Sequence, residues 1–396
     1  MMKKCILILL VLTLFLSGCW DRRELNELSI TMALGIDKVK NEYLVSAQVI
    51  VPSEVSMQAS SGRSAVTLYQ ASGETVYEAF RKMTKDAPRK IYPGHLRILV
   101  ISEELAKEGI SESLDLLARD WELRSDFYVV IAKDLTASEV LNVTTPIESI
   151  PANKMFNALK TSERIWAATE GVILDDLLTN LTSDGKEAVL TGIKVIGDKE
   201  LGSSKQNVES ITPSTRIQYD HLGVFKEDRL VGWLTEDEGR GYSDITDTVE
   251  KTVTAISCPK GGKIAIEIFD FDSTIKGSIN KGEPEVDIHI QAKGNVGEVQ
   301  CSIDLTKPES MNEIQKIYEK EMKELIEQTI NTVQSQYESD IFGFGEAIHR
   351  SNPKEWKEMK EHWDEKFANL TVHVHVEMKD LRIGTLNNSF LRKIED

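Results

Sequence analysis

Cysteine is scarce in this chain: Cys5, Cys19, Cys258 and Cys301 are all it has. A protein of 396 residues builds its core without cross-links, so these cysteines are not a disulfide framework. Positive charge is also short. Lys and Arg number 47 against 64 Asp and Glu, a net charge of −17. That balance argues against a surface that tracks nucleic-acid phosphates and against polybasic attraction to anionic lipid. After residue 16 no apolar run approaches the ~20 residues a membrane-spanning helix needs.

A catalytic constellation is missing as well. Ser-x-x-Lys occurs at Ser183/Lys186, Ser257/Lys260 and Ser273/Lys276, in turn-like or strand-edge settings without supporting motifs. Gly343-Phe344-Gly345 ends a helix in this reading and lacks the third glycine of a phosphate cradle. Gly261-Gly262-Lys263 reads as a hairpin turn. Paired carboxylates such as Asp175/Asp176 and Asp270/Asp272 have no Gly-x-Ser or His context. His373 and His375 stand two apart on a strand, a spacing metal sites use. No third ligand of that quality lies nearby, and His362 precedes the strand on a helix. The pair is therefore assigned to a solvent face opposite Val372, Val374 and Val376. The sequence points to no enzyme, no metal site and no small-molecule cofactor.

What is present is most specific at the start. Lys3 and Lys4 precede an apolar stretch from Cys5 to Leu16, the length of a signal-peptide h-region. Leu16-Ser17-Gly18-Cys19 then reads as a lipobox, with cleavage between Gly18 and Cys19 and a diacylglycerol on the Cys19 thiol. Two acyl chains anchor stably without help from charge. Trp20 beside the lipid suits the headgroup level. Asp21, Arg22 and Arg23 extend this candidate contact, the arginines toward lipid phosphates or acidic groups of a membrane partner.

Patterning predicts an α+β protein. Ser29 to Asp37 and Tyr43 to Val51 read as a β-hairpin. Residues 53–64, with Gly62, read as a mobile loop. Ser72 is expected to cap a helix presenting Val76, Ala79, Phe80 and Met83 and ended by Pro88. Within Pro93 to Ala106 a turn feeds a buried strand, with Ser102 capping the next helix. A stripe of Leu114, Leu117, Ala118 and Trp121 leads to a strand at Asp126 to Ala132, which makes a βαβ-like unit. Helices are expected at about 153–159 and 171–181, and a strand at 188–196. The C-terminal part reads as hairpins, the first made by Gln218 to Phe225 and Arg229 to Leu234, followed by the alternating Ile264, Ile266, Ile268 and Val286, Ile288, Ile290. A further short strand is expected at 299–305. A helix of roughly thirty residues follows, at the 1.5 Å rise per residue that makes it ~45 Å long. We expect small mixed sheets flanked by helices in three domains. Residues 1–18 are the cleaved signal peptide. Residues 19–200 are an N-terminal region broken near 146–151, 201–215 a linker, 216–386 a C-terminal domain and 387–396 a tail. Cys258 and Cys301 fall in strand-like segments of the last domain; a bridge is possible there, and two buried free thiols are the favoured reading.

Several stretches carry a family resemblance. They are Trp20-Asp21-Arg22-Arg23-Glu24-Leu25 running on to Ala33-Leu34-Gly35-Ile36-Asp37, the Gly94-His95 strand, and Arg119-Asp120-Trp121-Glu122-Leu123-Arg124. At the C-terminal end they are Phe342-Gly343-Phe344-Gly345-Glu346, Pro353-x-x-Trp356 and Val372 to Val376. Together they resemble the GerC (Ger(x)C) family, the lipoprotein C-subunits of spore germinant receptors. The resemblance implies a non-enzymatic subunit required for nutrient-triggered germination. It also implies two integral-membrane partners, the A- and B-type subunits, and the extracytoplasmic face of the spore inner membrane. The rivals are a substrate-binding lipoprotein of an ABC-type importer, which would show repeated βαβ units in both lobes, and an exported cell-wall hydrolase.

Overall fold

The computed structural model describes residues 24–56, 63–259 and 261–384. The signal segment, Gly18, Cys19, Trp20 to Arg23, residues 57–62 of the expected loop and the tail lie outside the described residues. The loop's first part is not irregular: Pro52–Ser56 is a helical turn.

Thirteen strands form two sheets among the described residues. The expected hairpin is present as β1 (Leu28–Val39) and β2 (Glu42–Ile50), paired antiparallel. Next, β3 (Val66–Gly73) pairs with β2 through Gly73 opposite Tyr43. This ladder carries the chain past Ser72, so the helix Val76–Lys82 is capped by Thr75 instead, whose side chain accepts from the Glu78 amide. A short β4 (Lys90–Tyr92) lies beside the start of β1. The βαβ unit follows as expected, with β5 (Ile98–Ser102) and β6 (Tyr128–Ala132) parallel. Ser102 caps its helix by accepting from the Leu105 amide. The helix Ser111–Arg119 buries Leu114 and Leu117 but stops before Trp121, which is 79% exposed. Central strands are buried on both faces. Leu99 and Ile101 enter one core and Ile98 and Val100 the other, which is why they read as unbroken apolar runs.

Strand pairing continues across residues 146–151 and across 201–215. The helix after 146–151 runs from Pro151 to Trp166, and β7 (Val189–Gly197) beyond it pairs in parallel with β6. The break near 146–151 therefore lies within one sheet. β7 in turn pairs antiparallel with β8 (Thr215–Lys226), Gly197 opposite Thr215, and β8 with β9 (Arg229–Leu234). Residues 201–215 connect two strands that pair with each other. Their polar, glycine-containing composition suits a surface loop as well as a linker. The fully buried Asn207 fastens them, donating to the carbonyls of Thr144 and Thr215 and accepting from the Thr215 amide.

The second sheet has the order β10 (Thr252–Ser257), β11 (Lys263–Asn280), β12 (Glu283–Val299), β13 (Thr371–Arg382). β11 and β12 make a long hairpin, turned by Lys281 and Gly282, both at positive φ, as a two-residue type I′ turn requires. β12 ends at Val299, so no strand reaches Leu305. The long helix Pro308–Thr332 covers one face of this sheet and continues as a π-helical turn, Val333–Tyr337. Ile314, Tyr318, Met322 and Ile326 meet Ile264, Ile266, Ile288 and Val374 in one core. That core also takes in Val189, Leu222, Val224 and Leu234 of the first sheet, with Tyr242 and Ile245 of the helix Glu236–Thr246 between them. The architecture is α+β, with two sheets that share apolar contacts.

Cys258 and Cys301 form a disulfide with Cα atoms 6.5 Å apart, which corrects the free-thiol reading. Cys258 directly follows β10 and Cys301 lies two residues past β12, the strands on either side of β11. The Cys258 amide donates to Gly262, and the amide of Gln300, next to Cys301, donates to Lys263. Strand pairing therefore delivers the two thiols to the same end of the sheet, a placement that local periodicity does not encode.

Candidate functional site: a buried acidic joint

The segment from Tyr337 to Glu346 fastens the C-terminal half of the chain to the first sheet. The Tyr337 hydroxyl donates to the Trp233 carbonyl at 2.9 Å and the Ser339 hydroxyl to the Phe225 carbonyl at 2.6 Å. The Glu187 amide donates to the Asp340 carbonyl at 2.8 Å, and the Glu346 amide to the Gly185 carbonyl at 3.1 Å. Ser183 donates to Glu346 at 3.0 Å. The backbones approach so closely at Gly185 and Gly345 that a Cβ on Gly345 would lie 2.8 Å from the Gly185 Cα. Glycine is the side chain that allows this contact.

Asp340 organises the turn. One carboxylate oxygen accepts from the amides of Gly343 and Phe344, the other from the Gly345 amide at 2.7 Å and the Trp363 indole at 2.9 Å. These donors include the free amides that open the helix Phe344–Ser351. Gly343 stands at φ +77 just before that helix, so the Gly-Phe-Gly segment starts a helix rather than ending one. Phe342 and Phe344 are buried, stacked with ring centroids 5.0 Å apart, and Phe344 lies 6.1 Å from Phe367.

Burial sets the titration of this region. It pushes Asp340 up to about 6 although four hydrogen bonds favour the ionised form. Burial raises Glu187 to about 7, with Asp364 and Glu227 adding repulsion. Glu170 and Asp244 are likewise raised to about 7 by burial. Such groups hold protons more tightly folded than unfolded. Their stabilising protonation is complete below the unfolded values of about 4 and is lost as pH rises through 6 to 7. Glu103, Glu139 and Asp220, whose values are lowered, act in the opposite sense. They are already ionised in both states above pH 5. The melting temperature is therefore expected to fall between pH 5 and pH 8 in a thermal unfolding series. A rise over that window would contradict the assignment.

The other sequence candidates fall elsewhere. Cys19 and Trp20 to Arg23 are outside the described residues. Ser183 is committed to Glu346, while the Ser273 hydroxyl donates to the Ile245 carbonyl and its amide to Asp247. His373 and His375 are exposed on β13 while Val374 is buried, as the alternation implies. What the sequence reading missed is Asp340, Glu187 and the strand neighbours of His375. None carries a local signal, because each acquires its role from residues far away in the chain.

The comparisons with known proteins agree along the whole length. Residues 21–195 match the family described as spore germination protein N-terminal domain, and residues 220–384 match spore germination B3/GerAC like, C-terminal. Spore germination protein KC of Bacillus subtilis is 30% identical over 407 aligned positions, covering 100% of both chains. Spore germination protein B3 of the same organism is 26% identical, covering 96% of this chain and 97% of its own. The crystal structure of the GerBC protein superposes with a TM-score of 0.54 at 21% identity, over 88% of this chain and 96% of that one. This chain belongs to the GerC-type family of spore germination proteins.

Proposed function

We propose that this chain is a non-enzymatic, lipid-anchored subunit of a nutrient germinant receptor. It acts with integral-membrane A- and B-type subunits on the extracytoplasmic face of the spore inner membrane. The observation that carries this reading is the end-to-end match to spore germination protein KC, 100% of each chain. A match confined to one domain would leave the role of the rest open. No helix among the described residues is long and apolar enough to cross a membrane; in this reading the diacylglycerol on Cys19 holds the protein there. The importer reading is disfavoured by the second sheet, whose β10, β11 and β12 are antiparallel neighbours rather than repeated βαβ units.

Cys19→Ala tests the reading. We expect no palmitate label on the variant, its loss from the membrane fraction, and spores that respond weakly or not at all to nutrient. Label still entering the Cys19→Ala protein, or a full nutrient response from unlipidated chain, would count against it.

A further inference from the structure

The face of the second sheet turned away from the long helix is polar, and it gathers three metal-ligating side chains. β12 and β13 run parallel in register, placing Asp287 beside His373 and His289 beside His375. Asp287, His289, His373 and His375 all alternate with buried Val286, Ile288 and Val374, so they share the outer face. The rings of His289 and His375 stack with centroids 4.8 Å apart and planes 13° from parallel. His375 Nε2 lies 3.7 Å from an Asp287 carboxylate oxygen. One ligand atom from each of Asp287, His289 and His375 lies within 4.8 Å of the other two.

We propose that Asp287, His289 and His375 bind a divalent first-row transition metal of the zinc, nickel or copper type. Two imidazoles and a carboxylate suit these ions, whereas magnesium and calcium prefer all-oxygen shells. Bonds of 2.0–2.2 Å in tetrahedral array need ligand atoms about 3.3 Å apart. Here the three ligand atoms lie within 4.8 Å of one another, so a bound ion would draw them closer. Three protein ligands leave one position open, for water or for a donor from another molecule. Sequence spacing singles out His373 with His375. The geometry instead pairs His375 with a histidine 86 positions earlier, brought beside it by strand register. Lys276 stands opposite Asp287 on β11.

The test is zinc titration by calorimetry of the tag-free full chain in detergent, with His289→Ala, His375→Ala and His373→Ala beside it. All three rings are exposed, so the variants should keep their metal-free melting temperature. We expect one zinc per chain, binding lost in His289→Ala and His375→Ala, and binding retained in His373→Ala. Failure of the parent chain to bind zinc stoichiometrically would overturn the proposal. So would binding that survives His289→Ala, or that depends on His373. None of these outcomes bears on lipidation or receptor membership.

Discussion

Phe344→Ala is expected to destabilise the folded chain by about 3–5 kcal/mol, the range for truncating a fully buried aromatic. Phe344 has no exposed surface. Its ring stacks on Phe342 and lies near Phe367, in the core that also holds Trp356 and Trp363. Removing it leaves a cavity between the opening of the helix Phe344–Ser351 and the residues that cover it. The alternative role for so apolar a segment, presenting its rings to a membrane partner, predicts little change in stability. Denaturant unfolding of the whole mature chain separates the two, and an unchanged midpoint would refute the packing role. A fragment starting near residue 215 is the wrong material, because β8 and β9 would leave the first sheet without their partners.

Asp340→Ala should be comparably severe, at least about 3 kcal/mol. Its carboxylate accepts from three amides and an indole, and each buried donor left without an acceptor costs about 1–3 kcal/mol. The loss has a local signature. Amide hydrogen exchange should speed up at Gly343, Phe344 and Gly345, and also at Glu187 and Glu346, whose amides cross to the other side of the joint. Asp340→Asn retains acceptor capacity on one oxygen only and should fall between parent and alanine. Equal protection of these amides in parent and Asp340→Ala would show that the carboxylate does not organise the turn.

What the sequence disclosed and what it did not divide along a physical line. The first hairpin, the Ser102 cap, the βαβ unit and the long helix are local. Alternation in Tyr43 to Val51, or spacing by three and four from Met311 to Tyr337, is written within one segment. Membership in a sheet is not. β8 and β9 read as the first hairpin of a C-terminal domain, yet they complete the N-terminal sheet. The chain between β7 and β8 looks like a linker because its anchor Asn207 is a polar side chain buried only by the fold. Ser72 loses its capping role to a strand that outlasts it by one residue. The candidate joint follows the same rule. Phe342, Gly343, Phe344 and Gly345 stand out in the sequence, but Asp340 is one acid among 64 Asp and Glu until the turn closes on it. Cys258 with Cys301, and His289 with His375, are likewise made neighbours by strand pairing alone.

A role as one subunit of a membrane receptor is proposed for this chain. Its most direct test is to solubilise spore membranes in mild detergent, capture this chain by a C-terminal tag, and identify what elutes with it by mass spectrometry. Two integral-membrane chains are expected in stable proportion to it, retained through size-exclusion chromatography and absent when the tag is missing. Elution alone, or with a permease and ATPase of an importer, would contradict it.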